Sequence, residues 1–156
     1  MRQKLLQGFT LVELLVVIAI IGLLSTMAMV GLSGARQKAR DTKRLADVRQ
    51  IMISLELYNN DFNGYPIEAN PVTLGVGEFA ALCEDGFEDK CDAGETVFQG
   101  LIPNSPTPQD GDCTVEQNVY AYTTGTSGEY SIQFCLGGSV GTFLPGLHSA
   151  TPSGIQ

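Results

Sequence analysis

The sequence has one histidine, His148, close to its C-terminal end. That scarcity excludes a histidine-based catalytic triad in the body of the chain. Glycine is plentiful but follows neither the Walker nor the dinucleotide-binding pattern, so no phosphate-binding loop is expected. After Arg49 the only basic residue is Lys90, against fourteen acids. A region so acidic argues against nucleic-acid binding through it. Proline is absent before Pro66, so no proline breaks a helix in that stretch. Cysteine is absent before Cys83, which confines disulfide or thiolate-metal chemistry to the second half. These absences predict a protein that is not an enzyme and requires no cofactor.

What the sequence does contain begins with a short polar leader carrying Arg2, Lys4 and Gln7 and ending at Gly8. Phe9 opens a 24-residue apolar run to Leu32 that holds one charge, Glu13. As a helix the run is about 36 Å long, enough to cross a hydrocarbon core of roughly 30 Å. A basic leader before an apolar stretch also describes an ordinary signal peptide or signal anchor, with a loose small-residue site at Ser25-Thr26-Met27-Ala28. An ordinary apolar region is shorter, however, and has no reason to carry an acid near its start.

With no proline in the way, the helix is predicted from about Phe9 to about Asn60, roughly 78 Å if unbroken, with weak points at Gly22, Gly31 and Gly34. From Ala35 the pattern turns amphipathic. Ala35, Ala39, Leu45, Val48, Met52, Leu55 and Tyr58 form the expected docking stripe. Arg36, Lys38, Arg40, Lys43, Arg44 and Arg49 fill much of the remainder, either as a solvated face or as a basic surface that meets the acidic head of a neighbouring copy. Asp41 and Asp47 offer local ion pairs of about 0.2–0.5 kcal/mol each. Asn63-Gly64 followed by Tyr65-Pro66 ends the helix.

Residues 61–156 form a small head whose core candidates are Phe62, Tyr65, Phe79, Phe87, Phe98, Tyr120, Tyr122, Tyr130, Phe134 and Phe143. A core of that size is marginal and often stapled. Gly77 to Cys83 reads as a short helix. Residues 119–123 and 130–135 alternate with period two around Gly125-Thr126-Ser127-Gly128, a hairpin signal. Ser139 to Leu144 offers a third strand, and the stretch from Pro145 to Gln156 reads as a poorly ordered tail. The fold class is therefore α+β, a long helix packed on a small antiparallel sheet. The expected segments are a leader over 1–8, a membrane-spanning helix over 9–32, its amphipathic continuation over 33–60 and the head over 61–156.

Four cysteines, Cys83, Cys91, Cys113 and Cys135, all lie in the head. An even count beyond an export segment predicts two disulfides in an oxidising compartment. Three pairings are open, with proximity favouring Cys83–Cys91 and Cys113–Cys135. A zinc site is the alternative, disfavoured by the lack of a CxxC spacing. Calcium is the one credible ligand, because clustered loop carboxylates supply the hard oxygen donors it takes. The candidates are Glu84, Asp85, Glu88, Asp89, Asp92 and Glu95, with Asp110 and Asp112 as a second acidic site beside Cys113.

Gly8-Phe9-Thr10-Leu11-Val12-Glu13 resembles the cleavage and methylation site of type IV prepilins and type II secretion pseudopilins. The resemblance implies that a prepilin peptidase cuts after Gly8 and N-methylates Phe9, leaving Glu13 as fifth mature residue. The new amine of Phe9 then lies four residues from Glu13 on the same helical face, or is met by the Glu13 of a neighbouring subunit. Ala39, Arg40, Lys43, Asp47 and Ile51, followed by Asn63-Gly64-Tyr65-Pro66, are similar to the segment after the anchor in major pseudopilins. The turn is one residue short of the usual spacing. The likeness covers about residues 4–66 well and the remainder loosely. Major pseudopilins bind calcium in a C-terminal loop, but the pattern here does not carry those residues over.

Taken together, the resemblance implies a type IV pilin-like fold and a structural subunit that polymerises with itself into a filament. It implies as further partners the prepilin peptidase, an inner-membrane assembly platform and membrane lipid. Its implied place is a single-pass inner-membrane protein with the head outside the cytoplasm, then a surface filament or periplasmic pseudopilus. The alternatives are a pseudopilin of type II secretion and a membrane-anchored exported binding domain that never polymerises. Positive charge alone favours the opposite orientation, because Arg36 to Arg44 outnumber Arg2 and Lys4. Cysteine usage and the resemblance place the leader in the cytoplasm. Loss of the leader shifts the formal charge from −8 to −10.

Overall fold

A computed structural model of the chain describes residues 9–125 and 128–156. The chain divides into two compact units, Met1–Arg36 and Gln37–Gln156. Helix α1 spans Leu11–Phe62, 52 residues, and runs without interruption through Gly22, Gly31 and Gly34. It ends where Asn63 takes a left-handed conformation at φ 54°. The Asn63 amide donates to the Asn59 carbonyl at 2.8 Å, an αL-type stop that asparagine tolerates and that Gly64 and Pro66 then enforce.

In the first unit the described side chains all point to open surroundings. Leu11 is 79 % exposed and Ile21 57 % exposed. In the second unit α1 lies on two antiparallel sheets. The larger has the order β1-β5-β6-β7-β8. Its strands are β1 (Val72–Thr73), β5 (Ala121–Thr124), β6 (Tyr130–Leu136), β7 (Gly146–Thr151) and β8 (Gly154–Ile155). The smaller has β2 (Ala81–Cys83) between β3 (Gly86–Glu88) and β4 (Val97–Gln99). The period-two stretches pair as β5 and β6, with Tyr122 opposite Ile132. Leu45, Val48, Ile51 and Leu55 of α1 join Tyr120, Tyr122, Tyr130, Ile132, Phe134 and Leu136 in one buried cluster. Each aliphatic side chain buried this way contributes about 1.5–3 kcal/mol.

Buried tyrosines need partners for their hydroxyls. Tyr120 Oη donates to Asp47 Oδ2 at 2.9 Å and Tyr122 Oη to the Pro66 carbonyl at 2.7 Å. Two disulfides fasten the head, Cys83–Cys91 and Cys113–Cys135.

Four expectations are corrected. The docking face of α1 is centred on Asp41, Arg44, Leu45, Val48, Ile51 and Leu55, while Ala35 and Ala39 stay exposed. The charged members belong to that face because the head supplies their partners. Gly77 to Cys83 is not one helix. Only Gly77–Phe79 forms a 3₁₀ turn, and Ala81–Cys83 becomes the central strand of the small sheet, buried and paired on both sides. Ser139 to Leu144 makes one bridge, Val140 to Phe143, and the third strand is β7. The stretch from Pro145 is thus part of the sheet rather than a loose tail. Five residue pairs join β6 to β7, Ile132–Ala150 through Leu136–Gly146, and β8 folds back on β7. The His148 ring lies within hydrogen-bonding distance of the Leu144 and Gln156 carbonyls at 2.8 and 3.1 Å.

Candidate functional site

The first candidate is the start of α1. Gly8 and the rest of the leader fall outside the described residues. Phe9 is described and is 82 % exposed. Glu13 Oε2 accepts from the Thr10 amide at 2.8 Å and from the Thr10 hydroxyl at 2.7 Å. The Glu13 amide in turn faces Thr10 Oγ1 at 3.3 Å. Thr10 precedes the first helical residue, so the pair is a capping box, in which two otherwise orphaned amides are satisfied reciprocally. The signal stands in the sequence as Thr10-x-x-Glu13, a capping-box spacing just before an apolar run. By length and composition α1 is sufficient to cross a membrane.

The second candidate is a buried ion cluster within the Gln37–Gln156 unit. Arg44 is 1 % exposed, although a run of charges reads as a solvated face. Its Nη1 donates to Asp41 Oδ1 at 2.7 Å and to Asp110 Oδ2 at 2.9 Å. Its Nη2 donates to the Pro106 carbonyl at 2.9 Å and to Asn118 Oδ1 at 2.8 Å. Arg40 adds a forked pair to Asp110, with Nε to Oδ2 at 2.8 Å and Nη2 to Oδ1. Asp41 takes the Gly137 and Gly138 amides at 3.0 and 2.9 Å. Two planar guanidinium forks meeting two carboxylates, with backbone groups filling the remaining valences, is the arrangement that makes burial of charge tolerable. The hydrogen bond from Arg40, aided by Arg44, holds the Asp110 carboxyl below its ordinary value despite partial burial.

This cluster removes Asp110 from the second acidic site proposed beside Cys113. Its oxygens are occupied by arginine, and Asp112 is exposed without it. Of the remaining acids, Asp85, Glu88 and Glu95 bring carboxylate oxygens within 4.8 Å of one another. Desolvation, followed by the charges of Glu95, Asp85, Asp92 and Asp89, pushes the Glu88 pKa up. Glu95 is already engaged, accepting from the Asp85 amide at 3.3 Å and the Asp92 amide at 2.8 Å. Glu84 likewise accepts from the Thr96 amide at 3.2 Å. Calcium takes six to eight oxygens, so three carboxylates do not make a calcium site by themselves. Cys83 and Cys91 beside Glu95 are joined to each other, which leaves no thiolate there for a metal.

Comparison with known proteins bears on the first candidate. The family described as the prokaryotic N-terminal methylation motif matches residues 6–29. The chain is 36 % identical over 66 residues to type II secretion system core protein G of Aeromonas hydrophila, covering 42 % of this chain and 46 % of that one. It is 38 % identical over 60 residues to the protein of the same name from Pectobacterium carotovorum subsp. carotovorum, covering 38 % of each. It is 39 % identical over 71 residues to the type IV wide pilus major component PilA4 of Thermus thermophilus, covering 45 % of this chain and 54 % of that one. The chain thus spans about half or less of the length of the curated relatives it matches. No solved structure matches it.

Proposed function

We propose that this chain, whose N-terminal segment is similar to type IV pilins and type II secretion pseudopilins, is a structural subunit of a pilus-like filament. The peptidase cuts after Gly8 and methylates Phe9. The apolar part of α1 serves first as membrane anchor and then as filament core. The head, outside the cytoplasm, covers the fibre. In this reading residues 1–8 are the leader, 9–32 the anchor, 33–60 the amphipathic continuation and 61–156 the head. The peptidase, the inner-membrane assembly platform and membrane lipid are its partners besides itself. The role requires no catalysis and no cofactor.

The observation that carries the proposal is Gly8-Phe9 followed at the right distance by Glu13 inside an apolar run, Phe9 to Leu32, that holds no other charge. A lone acid there costs roughly 2.5–3.5 kcal/mol at a bilayer centre. It is tolerable near the interface, and in a dry fibre it needs a cation that cleavage supplies. Mass spectrometry of the mature protein should find Phe9 at the N-terminus, one methyl heavier. Electron microscopy should find fibres that vanish when the chain is deleted. A mature N-terminus near Ala28 defeats the proposal.

A second reading, a pseudopilin in a short secretion piston, is favoured by the relatives named type II secretion system core protein G. A secretion defect without surface fibres selects it. Correct export with neither fibres nor a secretion defect selects a membrane-anchored binding domain instead.

A further inference from the structure

One side of α1 carries an exposed face that the head does not cover. Lys38 and Arg49 are exposed and, among the described residues, stand in no ion pair. Eleven residues apart, they lie within about 20° of each other around the helix axis. One and two turns beyond Arg49 follow Ile53 and Leu57, which are 63 % and 54 % exposed. Together with Met52, Glu56 and Asn60 they line a shallow, mostly apolar groove that Arg49 closes at one end. We propose that this face receives the acidic loop, residues 84–95, of a second copy of this chain. The proposal rests on the filament reading and adds to it the contact between heads.

The loop complements the face in charge, where Lys38 and Arg49 are two bases unpaired among the described residues against the single acid Glu56. It holds six acids against one base, Lys90. The Cys83–Cys91 bridge closes it, and Glu84 and Glu95 brace it by accepting backbone amides. Asp85, Glu88, Asp89 and Asp92 are in no ion pair among the described residues. Val97, directly after the loop and 53 % exposed, supplies the apolar counterpart to Ile53 and Leu57.

A chain's own loop does not lie at its Lys38. Its loop is carried beside the far end of α1, where Phe98 packs on Tyr58 and Phe62 at ring separations of 5.3 and 6.0 Å. Asp85 lines the same hollow as Tyr58 and Phe62. Tyr58 lies about 200° around the axis from Lys38 and about 30 Å along it. Complementary patches at different places on one molecule associate head to tail, and such an interface propagates as a ring or an open helical filament.

The test uses the full processed chain, in isolated fibres and in membranes. A zero-length carbodiimide couples carboxylates to lysine amines in direct contact. The expected product joins the Lys38 peptide of one copy to the peptide carrying Asp89 and Asp92 of another. Mixing copies of two isotopic labels proves that the link is between chains. Lys38→Glu with Arg49→Glu should lower fibres per cell at least tenfold at normal membrane abundance. Asp89→Lys with Asp92→Lys should do the same, and all four changes in one chain should restore fibres. Fibres without the cross-link, or reversals without effect, overturn the docking and leave the filament reading standing. The cross-link in membranes of cells that make no fibres keeps the docking and removes the filament reading. Neither cross-link nor fibres overturns both.

Discussion

Arg44 on the helix and Asp110 on a loop of the head, 66 positions apart in sequence, meet at 2.9 Å with almost no exposed surface. Removing one member of a buried pair leaves the other charge uncompensated, at about 3–5 kcal/mol. Arg44→Ala leaves buried Asp41 without a cation, held only by the Gly137 and Gly138 amides, and leaves Asp110 to Arg40 alone, so denaturant unfolding of the full chain in detergent should show a loss toward that size. Arg40→Ala should cost far less, about 1 kcal/mol or below, because Arg40 is partly exposed and leaves Asp110 its bond to Arg44.

The same cluster sets an acid limit. The Asp110 carboxyl titrates below its ordinary value in the folded chain, chiefly through Arg40. The unfolded chain therefore binds this proton first as pH falls. The resulting stability is fully present above about pH 4 and is lost below it, as pH drops through the folded value. Thermal melts followed by circular dichroism should show the contribution of Asp110 constant from pH 7 to 5 and falling below 4. Asp110→Asn should flatten the fall while lowering the melting temperature at pH 7. An identical acid profile in the variant removes Asp110 as its source.

The head should contain no free thiol. Peptide mapping without reductant should join Cys83 to Cys91 and Cys113 to Cys135, the pairs described here. Loss of either bridge should cost about 2–5 kcal/mol. Two or more alkylatable thiols in exported protein contradict this.

Glu13 separates two roles through paired substitutions. Glu13→Ala should still insert and be cut, since a more apolar helix partitions at least as well, yet it should fail to enter fibres. Thr10→Val removes only the cap, about 1 kcal/mol of local helix stability, and should keep fibres. Fibre counts at matched membrane abundance decide. Normal fibres from Glu13→Ala would falsify the pairing of this acid with a neighbouring amine.

Calcium should leave the head unchanged. Millimolar calcium or a chelator should not move the melting temperature, because both Glu95 oxygens are engaged by the Asp85 and Asp92 amides and only Asp85 and Glu88 keep theirs for an ion. A calcium-dependent rise reversed by Glu88→Gln would show that loop carbonyls and water complete a site.

The long helix and the β5–β6 hairpin were legible because period and composition agree there. The apolar run has no competing pattern, and Tyr130, Ile132 and Phe134 fall on one side of a strand. Arg44 was illegible for a physical reason. Nothing in a local window distinguishes a charge in water from one whose partners arrive from Pro106, Asp110 and Asn118. Strand β7 was hidden by its composition of Gly146, Leu147, His148, Ser149, Ala150 and Thr151. Its order comes from pairing with β6 rather than from its own propensity. The second acidic site failed for the same reason as Arg44, since Asp110 serves the helix.

The loop that carries Asp110 is also tied to the central strand by Cys113–Cys135, and Gly111 and Gly137 bring the two backbones so close that a Cβ on either would collide with the other. Helix, guanidinium fork, loop and strand therefore form one continuous line of transmission. Arg44 and Asp110 thus join the helix to a loop that a covalent bond ties in turn to the sheet at Cys135, so the helix reaches the centre of the sheet by a second route besides the buried apolar cluster.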